Sequence, residues 1–179
     1  MKLIVIDVQK GITDQRLYDY EGFIEKAQRL INAARENGVE VIYVQHDDGP
    51  GTGFSVGDTD FEIAAQVAPL PGERIFVKSV NSIFGSKELT TYLQIAGDET
   101  LMLIGLQTDF CIDASVKTAF DRGFKVIVPK GANSTFDNDY MDKETTYKYF
   151  NDMMWSDRYA KCVSVEKAIE ILKQERGSR

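Results

Sequence analysis

The sequence predicts an α/β fold, a three-layer α/β/α sandwich around a mostly parallel sheet, and three observations predict it. Short β-rich apolar runs alternate with longer segments of helical period. The runs are almost uninterrupted, as strands buried on both faces require. Glycines close several of the helical segments. In chain order, residues 3–6 (LIVI), 39–44 (VEVIYV), 75–77 (IFV), 101–104 (LMLI), 125–128 (KVIV) and 162–165 (CVSV) read as six strands. Between them, 22–37 carries apolar residues at 23, 24, 27, 30, 31 and 34, a helical spacing that ends at Gly38. Residues 86–96 form a second helix stopped by Gly97, and 110–122 a third stopped by Gly123. Residues 139–155 and 165–174 supply the last two.

Hydrophobic residues make up 43% of the 179 and charged residues 27%, enough for a packed core and too apolar for a disordered chain. No repeat or linker divides the sequence, so one domain is expected over 1–176, with Gly177, Ser178 and Arg179 read as a cloning remnant. The net charge of −7 argues against nucleic acid as a partner. No stretch approaches the ~18 apolar residues of a membrane span, and the opening apolar run is too short for a signal peptide, so a cytoplasmic protein is expected. The two cysteines, Cys111 and Cys162, show no CxxC spacing and signal neither a disulfide framework nor a zinc ribbon.

Ligands of parallel sheets bind beyond the carboxyl ends of the strands, so the residues just after each apolar run are the candidates for chemistry. Asp7 follows LIVI directly; it is either a loop cap or a carboxylate at the binding edge that exchanges a proton. Lys78 follows IFV; it either snorkels to solvent or places a cation at that edge. Cys111 follows the run 101–104 and its Gly105 by a five-residue loop and begins a helix. It is either core filler or a thiol whose pKa a helix N-terminus lowers. Cys162, starting a strand at the other edge, reads as structural. Together, Asp7, Lys78 and Cys111 supply a base, a cation and a nucleophile, a set suited to covalent hydrolysis.

These residues lie in "IVIDVQ", "VKSVNSIFGSKEL" and "LIGLQTDFCIDASVKTAFDRGFKVIVP", and with "RYAKCVSVEKAIEIL" they resemble the isochorismatase-like cysteine hydrolase superfamily. That superfamily includes nicotinamidases and carbamoylsarcosine-type amidohydrolases. The resemblance spans nearly the whole chain and implies a Rossmann-like sheet of strand order 3-2-1-4-5-6. It implies a catalytic Asp7, Lys78 and Cys111 and a cis peptide between Leu106 and Gln107. The backbone amides of Gln107 and Cys111 would then form an oxyanion hole. It further implies attack of Cys111 on a small-molecule carboxamide or ureido carbonyl through a thioester, in a homodimer or homotetramer.

The chain also departs from its relatives. Nicotinamidases bind a metal through an Asp and two His residues, whereas His46, in "VQHDDGPGTGFSVGD", is the sole histidine here. No metal or other cofactor is therefore expected, and His46 reads as orienting a loop or lining the substrate entrance. Retention of Cys111 in the full motif points away from the vinyl-ether hydrolysis of isochorismate-cleaving relatives. That reaction, and a redox-sensing thiol without catalysis, remain the alternatives. The stretch 49–57 lacks the Lys-Ser/Thr of a phosphate loop and reads instead as a lid. Gln9, His46, Asp48, Phe54, Phe84 and Phe136 are candidate pocket residues, with ordinary packing the alternative for the three phenylalanines. The acidic cluster 137–150 reads as a helix start and a subunit contact.

Overall fold

The computed structural model describes residues 1–176, so the reading of 177–179 lies outside the described residues. Along the chain run β1 (Lys2–Ile6), α1 (Tyr20–Glu36), β2 (Glu40–His46), β3 (Arg74–Lys78), α2 (Lys87–Ala96), β4 (Thr100–Leu106) and α3 (Asp113–Asp121). There follow β5 (Lys125–Pro129), β6 (Asn133–Ser134), α4 (Lys143–Lys148), β7 (Lys161–Val163) and α5 (Val165–Arg176). The sheet order is β3-β2-β1-β4-β5-β7, with every pairing parallel. This is the expected 3-2-1-4-5-6, because the sixth predicted strand is β7. The addition is β6, two residues that pair with Gly105 and Leu106 of β4. A two-residue polar strand leaves no apolar run to find.

Side chains alternate across a strand, and that alternation divides the core into two layers. Leu3 and Val5 of β1 join Leu30 and Ile31 of α1 and Leu172 of α5 on one face. Ile4 and Ile6 join Leu89 and Leu93 of α2, Val116 of α3 and Trp155 on the other. The central strands are buried throughout, as their apolar runs require. Edge strand β3 departs from this: Phe76 packs inward, while Ile75 and Val77 stay 46% and 41% exposed on the other face.

Two helix boundaries also differ. The third helix opens with a π-helical turn, Thr108–Ile112, ahead of α3. The segment expected to be helical from 139 instead starts at Lys143 and passes into a π-helical stretch, Tyr149–Met154. The cause lies in short polar side chains that hold backbone amides in turns. Asn138 accepts from the amides of Tyr140 and Met141, and Asp142 caps the helix by accepting from that of Thr145. By contrast α2 starts after the Ser86 cap and ends at left-handed Gly97, close to the expected 86–96. Among the described residues no helix is long and apolar enough to cross a membrane.

Gly105 decides where the nucleophile loop leaves the sheet. Its φ is +127°, and a Cβ there would lie 2.0 Å from the Ile6 carbonyl oxygen, so a side chain is excluded by both conformation and contact. Gly105 stays paired with Ile6 of β1 while its amide donates to the Ala132 carbonyl at 2.9 Å, where β6 joins β4.

Candidate active site

Three strand ends converge at the carboxyl edge of the sheet. Asp7 follows β1 with φ at +51°, a left-handed conformation that Asp tolerates, and its amide donates to the Val44 carbonyl at 2.9 Å. Lys78 ends β3 beside His46, the last residue of β2. Cys111 stands in the π-helical turn after β4. Asp7 and Lys78 are 1% and 2% exposed, burial that unpaired charges would not tolerate.

Lys78 Nζ is the hub. It donates to Asp7 Oδ2 at 2.7 Å, to His46 Nδ1 at 2.9 Å and to Cys111 Sγ at 3.3 Å. An ammonium has three donors and no acceptor, so all three of its protons are committed. The contact also assigns the histidine tautomer. Nδ1 must accept, which places the imidazole proton on Nε2, where it donates to Asp48 Oδ1 at 3.0 Å. Asp7 Oδ1, by contrast, is buried and has no hydrogen-bond partner among the described residues.

Burial pushes the Cys111 thiol up to about 12, the Asp7 charge adds to the rise, and Lys78 opposes it. Sulfur therefore holds its proton near neutral pH. The lowering that a helix start and a nearby lysine give a thiol is outweighed here by desolvation and the Asp7 carboxylate. Burial also raises Asp7 above the ordinary carboxylate range, against the pull of Lys78. The resting site is thus a thiol beside an elevated carboxylate paired with an ammonium.

A carboxylate oxygen of Asp7, a ring nitrogen of His46 and Cys111 Sγ lie within 4.8 Å of one another, a spacing that could ligate a metal. Lys78 Nζ already stands within hydrogen-bonding reach of all three. A metal cation there would have to displace a buried ammonium, so these residues do not fit one.

Against this cluster opens a cavity of about 360 Å³, lined by Asp7, His46, Gln107 and Cys111 together with Phe54 and Phe110. Ile12, Asp48 and Asn81 complete the lining. A larger cavity, about 460 Å³, lies at the opposite edge of the sheet around Met1, Thr100 and Lys125, away from the cysteine cluster. The peptide bond between Leu106 and Gln107 is cis.

Of the pocket candidates, His46, Asp48 and Phe54 line the cavity. Gln9 lies beneath it, fully buried, with its amide bonded to the backbone of His46 and Phe61; it fixes the end of β2. Phe84 packs on Phe124 under the Arg122 guanidinium. Phe136 lies against the core beneath Arg16. Ile12, Asn81 and Phe110 were not singled out by sequence reasoning. Asn81 and Phe110 lie within the quoted motifs, three residues after Lys78 and one before Cys111, which is the signal that could have found them. Cys162 sits in β7 opposite Val128, outside this cavity.

A buried polar frame holds the nucleophile loop. Thr108 donates to Asn133, whose side chain pairs with Asn151. Thr135 donates to Asp109. Ser115 accepts from the Ile83 amide and donates to the Cys111 carbonyl at 2.6 Å. The Asn-Ser-Thr at 133–135 thus serves packing.

Comparison with known proteins gives the family and the fold. The family model of the isochorismatase domain matches residues 2–163. A streptothricin hydrolase of Streptomyces noursei is 29% identical over 137 residues, covering 75% of this chain and 54% of that protein. The chain thus spans about half the length of the streptothricin hydrolases it matches. An uncharacterized isochorismatase family protein of Bacillus subtilis, YrdC, is 30% identical over 148 residues, 81% of this chain and 78% of its own. The ureidoacrylate amidohydrolase RutB of Agrobacterium fabrum is 22% identical over 191 residues, 86% of this chain and 84% of its own. In fold, a cysteine hydrolase from Pseudomonas syringae superposes with a TM-score of 0.88 at 20% identity, covering 97% of this chain and 92% of that one. With the domain matched over most of its length, this chain belongs to the isochorismatase family.

Proposed function

We propose that the protein is a cysteine hydrolase that cleaves a small-molecule C–N bond, a carboxamide or ureido group, through a thioester and without a metal. One observation carries the reading. A buried carboxylate has one oxygen held by Lys78 and the other unpartnered, beside a protonated thiol at the floor of a cavity. That is a base placed to act. Kinship with an amidohydrolase such as RutB supports the choice of bond. At about 360 Å³ the cavity sits near the lower end of the roughly 300–1,000 Å³ range of ligand pockets, which supports a small substrate.

In this reaction Asp7 takes the thiol proton as Cys111 Sγ bonds to the substrate carbonyl carbon. The amides of Gln107 and Cys111 receive the developing oxyanion. As the C–N bond breaks, Asp7 returns that proton to the departing nitrogen, leaving an acyl thioester. Asp7 then deprotonates water for attack on the thioester, and the acid leaves as the thiol regains its proton. Lys78 holds Asp7 and sulfur in register throughout.

The test is ammonia release over a panel of small amides, ureas and nicotinamide, run beside Cys111→Ala. Turnover with the parent protein and none with the variant is expected. Ammonia release that survives the substitution would remove Cys111 as nucleophile and the thioester with it.

A further inference from the structure

We infer that the pocket selects substrates by charge, favouring amides whose far end is cationic and rejecting those whose far end is anionic. This deepens the proposed function and rests on it.

The lining has no basic group free to meet an anion among the described residues. Lys78 is the cation nearest the nucleophile, but it is buried and its three donors are committed to Asp7, His46 and Cys111. Ile12 brings in the segment 10–16, whose basic side chains are already neutralised: Lys10 pairs with Glu62, and Arg16 with Asp14. His46 is neutral in the tautomer its two contacts impose, with neither ring nitrogen left over.

The outer wall is instead built for positive charge. Asp48 lines the cavity with its side chain 54% exposed. Its Oδ1 is held by His46, while among the described residues Oδ2 has no partner. The chain from 46 to 73, which supplies Asp48 and Phe54 to the wall, carries neither lysine nor arginine. Of its six acidic residues Glu62 pairs with Lys10 and Glu73 with Arg35, which leaves Asp47, Asp48, Asp58 and Asp60. Two aromatic rings, Phe54 and Phe110, complete that side, and Phe110 is half exposed. A carboxylate with a free oxygen beside open aromatic faces suits an ammonium or guanidinium. A carboxylate in the same place would meet Asp48 with nothing to offset it.

Cys111 itself reports the field at the pocket floor. In a Cys162→Ser background, its rate of modification is measured near about pH 8 with two methanethiosulfonates. One carries a trimethylammonium-ethyl group and the other a sulfonatoethyl group. In each case the thiolate sulfur displaces methanesulfinate and forms a mixed disulfide, followed by intact mass. Each rate is divided by that of the same reagent with 2-mercaptoethanol, and the thiolate fraction of Cys111 cancels in the ratio of the two. The cationic reagent is expected to be favoured by about tenfold or more, a preference that shrinks in high salt. It should also shrink severalfold in Asp48→Asn, which keeps an oxygen acceptor for His46 Nε2 and removes only the charge. A ratio of one or below, or a preference indifferent to salt and to Asp48→Asn, overturns the inference. The reaction proposed above fails separately, on turnover by Cys111→Ala, and that result does not enter the ratio.

Discussion

Replacing Asp7 by Asn should cripple catalysis and yet make Cys111 more reactive. The substitution keeps the shape, an oxygen acceptor for Lys78 and a residue that tolerates the left-handed backbone at this position. It removes the negative charge, which lies within 4.8 Å of sulfur and is one of the causes holding the thiol up at about 12. At an effective dielectric constant of about 20, a unit charge at that distance is worth on the order of 3 kcal/mol, or about two powers of ten in thiolate population. The paired assay is ammonia release beside iodoacetamide alkylation of Cys111, near about pH 8 in a Cys162→Ser background. Turnover should fall by roughly 10²–10⁴-fold with the base lost, while alkylation accelerates on the order of a hundredfold. A variant whose thiol alkylates no faster than the parent's would show that the Asp7 charge does not control the sulfur, and the electrostatic account of the site would fall.

Three further outcomes follow from the same geometry. Asp7 must be ionised to accept a proton and its pKa is raised, so kcat/KM should fall as pH drops, with a midpoint above the ordinary carboxylate value of about 3.9. A pH–rate profile whose acid limb sits at or below that value would contradict this. His46→Leu leaves a buried Lys78 N–H without an acceptor, a cost of about 1–3 kcal/mol, and should lower kcat more than it changes KM. His46→Asn, which restores an oxygen, should recover part of the loss, and a leucine variant equal to the parent would show that the contact plays no part. Gly105→Ala forces a Cβ against the Ile6 carbonyl at positive φ and should cost about 3 kcal/mol or prevent folding, read by urea denaturation.

The frame of the fold was legible because β1 and β4 are buried on both faces and so carry apolar runs with little interruption. What escaped was set by local polar contacts rather than by periodicity. The late start of α4 depends on Asn138 and Asp142 side chains capturing backbone amides, and β6 is a two-residue pairing with Gly105 and Leu106 at the end of β4. For the site, strand-end logic brought Asp7, Lys78 and Cys111 to one edge from the residues themselves. The place of Gln9 under the pocket and of Phe84 and Phe136 outside it depends on side-chain direction across packed layers, which spacing in one chain does not encode. The contact of His46 with Lys78 arises from neighbouring parallel strands ending in register, a pairing between residues 32 positions apart.

The Lys78 hub also bears on how a water-poor floor can host ionic chemistry. At rest the charged pair is ammonium and carboxylate; after proton transfer in the proposed reaction it is ammonium and thiolate. The number of charges is the same before and after. The negative pole moves from an oxygen 2.7 Å from Nζ to a sulfur 3.3 Å from it, and its positive counterpart need not move at all. An ion pair that exchanges its anion without ever separating asks nothing of the solvent, so the apolar surroundings that raise the thiol's pKa do not also have to raise the barrier to its use.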